Sequence, residues 1–121
     1  MTTNEFTKVL KATLTERMTN RLIELAEESI EQGVEEYIEK GYIILDFKGE
    51  FDSSIASESA DKMRKELFGR GLTYYDYRCV SDTAWALLLN HLKKEGWEFE
   101  LTEIDGKTAR IVKMPSKLKS E

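Results

Sequence analysis

Apolar residues recur every three or four positions through the first third of the chain. Phe6, Leu10, Leu14, Met18, Leu22, Leu25, Ala26, Ile30, Val34, Tyr37 and Ile38 follow the period of a helix over 4–39. Thr2 and Glu5 have the spacing of a capping box, and so do Thr13 and Glu16. The segment therefore reads either as one long helix or as two with a break near 11–15. Gly33 interrupts the pattern at a cost of roughly 1 kcal/mol relative to alanine. A helix of this length needs cover for its first half. Pairing with a second copy through Phe6, Leu10, Leu14 and Met18 is the simplest cover.

After Gly41 the period changes. "YIILDF" has apolar residues on both faces, as a central strand does, with Ile43, Leu45 and Phe47 directed inward. Gly41 is read as a left-handed helix stop, a role that Gly71 and Gly96 repeat. Asp52, Ser53 and Ser54 are competent N-caps for a helix over 54–68, whose stripe is Ala56, Ala60, Met63 and Leu67. "LTYYDYRCV", 72–80, reads as a second strand because of its tyrosines. Ser81 or Asp82 then caps a helix over 83–94 with Trp85, Leu88, Leu89 and Leu92 inward. "WEFELTEI" alternates, with Trp97, Phe99 and Leu101 on the buried face. "DG" at 105–106 predicts a tight hairpin into "KTARIVKM".

The resulting order is α-β-α-β-α-β-β. It implies an α/β (α+β two-layer) fold: a four-stranded mixed sheet with helices packed on one face, any parallel crossovers being right-handed. One domain over 1–121 is expected, with an N-terminal helical segment (1–40), a core (41–115) and a frayed basic tail (116–121).

Composition narrows the function. The chain has 121 residues, 40% of them hydrophobic and 34% charged, with a formal net charge of −5. That acidic balance disfavours nucleic acid and anionic membrane surfaces as partners. The single cysteine, Cys79, forms no internal disulfide and favours a reducing, cytoplasmic setting. The first residues have no signal-peptide pattern, and no stretch has the length of a membrane span.

Candidate chemistry is sparse. His91 is the only histidine and has no metal-ligand spacing to Cys79, so no metal or cofactor is expected. A Cys79–His91 nucleophile pair is the sole enzymatic alternative. "GKT" at 106–108 lacks the upstream glycine of a phosphate loop. The glutamates of 24–39 read as a solvated helix face. Tyr74, Tyr75, Tyr77 and Arg78, followed by Ser81 and Asp82, form the most suggestive stretch, because tyrosine and arginine anchor recognition surfaces. With a helix starting at 81–84, the same stretch supports a nucleotide-like ligand as the alternative reading. The plainer reading is sheet packing by tyrosines with wet hydroxyls.

"EKGYIILDF", "LFGRGLTYYDYR" and "KKEGWEFELTEIDGKTARIVKM" together resemble, in texture across most of the chain, the small lysine- and glutamate-rich accessory proteins of tailed bacteriophages. That resemblance implies a compact, non-enzymatic protein that binds and modulates a host component, or assembles with itself. It transfers no catalytic residue. The expectation is a protein-binding homodimer.

Overall fold

A computed structural model describes residues 1–55 and 74–114. In these residues α1 (Thr3–Gln32) and α2 (Val34–Lys40) lead into β1 (Ile43–Phe47) and the short α3 (Glu50–Ile55). α4 (Tyr74–Lys94) is followed by the hairpin of β2 (Glu98–Ile104) and β3 (Lys107–Lys113). The stripe Ala56 to Leu67, the turn at Gly69 and Gly71, and the tail from Pro115 lie outside the described residues.

α1 starts where the cap predicts, with Thr2 Oγ1 accepting from the Glu5 N–H at 3.1 Å. It does not break at 11–15. Thr13, the proposed second cap, lies inside the helix and donates its hydroxyl back to the Val9 carbonyl at 2.9 Å. The break falls at Gly33, between α1 and α2. Its cause is close packing. A Cβ at Gly33 would stand 2.4 Å from Ile43 Cγ2 and 2.9 Å from the Ser29 carbonyl oxygen, so only glycine lets β1 lie against this turn. Gly41 then stops α2 with φ 81°, as expected. Gly96 ends α4 with φ 95°, while the Trp97 N–H reaches the Leu92 carbonyl and the Gly96 N–H reaches Lys93, the paired bonds of a Schellman stop.

The segment from Tyr74 to Val80 is helix, not strand, and α4 runs unbroken through Ser81 and Asp82. The period explains the correction. Val80, Ala84, Leu88 and Leu92 recur at every fourth position and are all buried. Packing that stripe outweighs the weak strand preference of the tyrosines. α3 likewise begins earlier than its candidate caps, with Asp52 already in its first turn.

The sheet has three strands in the order β1-β3-β2, and both pairings are antiparallel. The four-stranded mixed sheet is thus corrected: the strand expected over 72–80 is not available to it, and the described strands make no parallel crossover. The α+β, two-layer character holds, with α1 and α4 both in contact with the sheet. Asp105 and Gly106 both have positive φ, as a two-residue primed turn requires.

α1 and α4 run parallel. Lys11 pairs with Asp76 at 2.6 Å, and Glu27 lies 3.6 Å from His91, so both helices advance together between the two contacts. Met18, Leu22 and Ala26 of α1, the α4 stripe, Ile43 and Leu45 of β1, Phe51 and Ile55 of α3, and Val112 of β3 form one core. Ile43 and Leu45 are buried as expected, whereas Phe47 is half-buried and Leu101, at the sheet edge, is exposed.

Gly33→Ala is expected to lower stability by about 1–3 kcal/mol through overpacking against Ile43. Chemical denaturation checks this, and an unchanged midpoint would contradict the packing account.

Candidate functional site

The most concentrated polar chemistry in the described residues lies under α3, on the core face of the sheet. Two cross-strand rows define that face. The first, Ile43–Val112–Phe99, is apolar. The second, Asp46–Arg110–Leu101, puts an acid and a base side by side. Asp46 reaches that row because the register of β1 shifts between Ile44 and Asp46. Without the shift Leu45 would oppose Arg110 and Asp46 would oppose Ala109 on the other face. One extra residue in β1 therefore lets Leu45 and Asp46 both serve the core side.

Asp46 is 5% exposed and Arg110 8%. Asp46 Oδ2 accepts the Phe51 N–H at 3.0 Å, and Glu50 Oε1 accepts the Phe47 N–H at 2.7 Å, a reciprocal clasp between β1 and the first turn of α3. Asp46 Oδ1 faces Arg110 Nε at 3.4 Å and has no hydrogen bond. The Arg110 guanidinium lies 3.7 Å from the centroid of the Trp85 ring, and its Nη2 is 3.6 Å from Asp52 Oδ2. Trp85 Nε1 donates to Asp52 Oδ1 at 3.0 Å, and Phe51 stacks near Trp85 with centroids 6.1 Å apart. β1, β3, α3 and α4 are thus joined by one charged and aromatic cluster.

Burial pushes the Asp46 carboxyl above its ordinary 3.8, helped by the nearby Asp52 and Glu50 charges and opposed by the Phe51 N–H and Arg110. The folded state then holds the Asp46 proton more tightly than the unfolded chain does. Asp46 costs stability at neutral pH, and that cost is relieved as the pH falls through its raised value toward 3.8. Arg110 is covered by Trp85 and paired with two carboxylates, so its charge serves the fold and not a solvent anion.

The residues expected to form a binding stretch are separated by the helix. Tyr75, Arg78 and Asp82 face solvent, while Tyr77 and Ser81 are half-buried on the stripe that leads to Trp85. Tyr74 opens α4. Ser81 and Asp82 do not present a helix start, because the N–H groups of 81–84 lie inside α4, where helix bonds use them. The nucleotide-like reading loses its geometric premise there. Cys79 and His91 both belong to α4, and their twelve-residue separation corresponds to about 18 Å along the axis, so they form no nucleophile pair. His91 instead approaches Glu27 and Glu95, each at 3.6 Å. Among the described residues no set of three or more metal-competent side chains comes together.

Of the expected self-association residues, Met18 is buried in the chain's own core and Leu14 packs against it; Leu10 is half-buried and Phe6 is 56% exposed. Periodicity alone does not say which part of a stripe its own domain consumes. The Asp46–Arg110–Trp85–Asp52 cluster was missed by sequence reasoning. Its signal is a lone acid in the apolar strand "YIILDF" and a lone base in "ARIV".

Comparison with known proteins finds no matching family model, no matching curated protein and no matching solved structure.

Arg110→Ala is expected to destabilise the fold by about 3–5 kcal/mol, because Asp46 is left buried with its main cation gone. Arg110→Lys keeps the charge and is expected to cost about 1–2 kcal/mol through loss of the planar stack on Trp85. Thermal and chemical denaturation of the pair separate charge from stacking. In a carbon-detected NMR titration Asp46 is expected to have its midpoint above 3.8; one at or below 3.8 would contradict the burial effect.

Proposed function

We propose that this protein works by binding other proteins, without catalysis, and that it associates with itself through the N-terminal end of α1. The observation that carries this reading is the concentration of large exposed apolar side chains at one end of the helix pair. Phe6 is 56% exposed, Val9 49% and Tyr75 74%. Lys11 pairs with Asp76, so Tyr74, two residues earlier on α4, is level with Val9, and α1 starts before that at Thr3. Among the described residues the first two turns of α1 thus run ahead of α4 with Phe6 exposed, and the half-buried Leu10, level with Tyr75, borders the surface offered to a second copy.

Tyr75 and Arg78, exposed on α4, suit a protein partner at the same end. The resemblance to phage accessory proteins supports a host component as that partner. The lone Cys79 supports the cytoplasm as the place where they meet. No helix among the described residues is long and apolar enough to cross a membrane.

Sedimentation of the full chain at micromolar concentration is expected to give a dimer, and Phe6→Glu is expected to return it to a folded monomer whose melting temperature no longer depends on protein concentration. A monomer for the unsubstituted chain at all concentrations tested would remove the self-association.

A further inference from the structure

The two edges of the sheet are treated differently. The tight turn makes Ile104 and Lys107 a pair that exchanges both backbone hydrogen bonds. Alternation then gives Thr102, Glu100 and Glu98 to β3, and turns the N–H and C=O groups of Phe99, Leu101 and Glu103 toward the outer edge of β2. The same parity on the other side turns the N–H groups of Ile44 and Phe47 outward from β1. Both find partners within the chain: Ile44 N–H donates to Glu36 Oε1 at 2.9 Å and Phe47 N–H to Glu50 Oε1 at 2.7 Å. The Leu45 carbonyl accepts from Ser29 Oγ at 2.8 Å. The β1 edge is therefore closed by side chains of α1, α2 and α3, and the β2 edge among the described residues is not.

We propose that the open edge of β2 accepts an extended, lysine- or arginine-bearing segment of a partner protein as a fourth strand. Main-chain bonds to Phe99, Leu101 and Glu103 would hold it. Charge selects the occupant. Glu98, Glu100 and Glu103 are all exposed on this strand. Lys113 engages Glu100 at 2.7 Å and also stands across the ladder from Glu98, whereas Glu103 stands opposite Thr108 and has no described basic partner. A second copy of β2 would bring another acidic strand alongside the first, in a chain of net charge −5. A basic strand meets opposite charge at the same positions. Leu101, 58% exposed on the core side of the sheet, supplies the apolar contact. The fitting segment has an apolar residue opposite Leu101 and basic residues opposite Glu98 and Glu103. This inference shares the premise of a protein-binding role but uses a surface remote in sequence from Phe6 and Tyr75.

The test uses the full chain and two synthetic octapeptides of valine and threonine that place valine opposite Leu101 and carry two charged residues five positions apart, to fall opposite Glu98 and Glu103; the charged residues are lysine in one peptide and glutamate in the other. With the lysine peptide at about ten times its Kd, amide exchange at Phe99, Leu101 and Glu103 is expected to slow about tenfold, with Ile44 and Phe47 unchanged. The glutamate peptide is expected to have no effect. The double variant Glu98→Lys with Glu103→Lys is expected to reverse that preference. Three results would overturn the proposal: no protection with the lysine peptide, equal protection by both peptides, or edge protection that rises with protein concentration alone, which would make a second copy the occupant. Phe6→Glu leaves the edge intact, so loss of dimerisation in that variant with retained peptide protection separates the two surfaces.

Discussion

The pairing of Asp46 with Arg110 on the buried face of the sheet is the constraint around which the rest is arranged. A charge in that position is costly unless its partner is held close and the remaining polar atoms are engaged. The chain meets these demands with local devices. An extra residue in β1 turns Asp46 to the core side, the first turn of α3 donates an N–H to it, and Trp85 of α4 covers the guanidinium. Each device ties a different element to the same point. The pair adds little net stability by itself. It specifies which register of β1 and which placement of α3 and α4 are allowed, because any other leaves a buried charge unmatched.

The second organising feature is the parallel course of α1 and α4. Two parallel helices cannot be joined by a short turn, so the chain between them must return along the domain. β1 and α3 make part of that return, and Gly33 lets it begin by allowing β1 to lie directly against the end of α1. The carboxylates of Glu36 and Glu50 then close the β1 edge from the elements that flank it. Among the described residues no flanking element supplies such groups to β2, since it enters from the stop at Gly96 and leaves by the tight turn. The difference between the two edges is thus a consequence of connectivity.

Legibility varied with how local the determining physics is. The stops at Gly41 and Gly96, the cap at Thr2 and the hairpin at Asp105–Gly106 are decided within a few residues, and each was readable. The stretch from Tyr74 to Asp82 was misread because tyrosine-rich strands and aromatic-bearing helices share a composition; the four-residue spacing from Val80 onward was the better signal. Taking that stretch as strand added a strand to the sheet and put a helix start at Ser81 that does not exist. Leu14 and Met18 carried a correct helical period, but the period does not state whether the face meets the chain's own core or another molecule.

The sequence by itself determined the helix stops at Gly41 and Gly96, the tight turn at Asp105–Gly106 and that the chain has α+β character, because those follow from backbone preferences and side-chain periods over short distances. Only the tertiary structure decided that Asp46 faces Arg110, that α1 and α4 run parallel, that Leu14 and Met18 are consumed internally and that one sheet edge is closed. Those outcomes depend on residues tens of positions apart meeting in space. A one-residue register shift or the absence of a single Cβ, neither visible as a pattern along the chain, settles which of them meet.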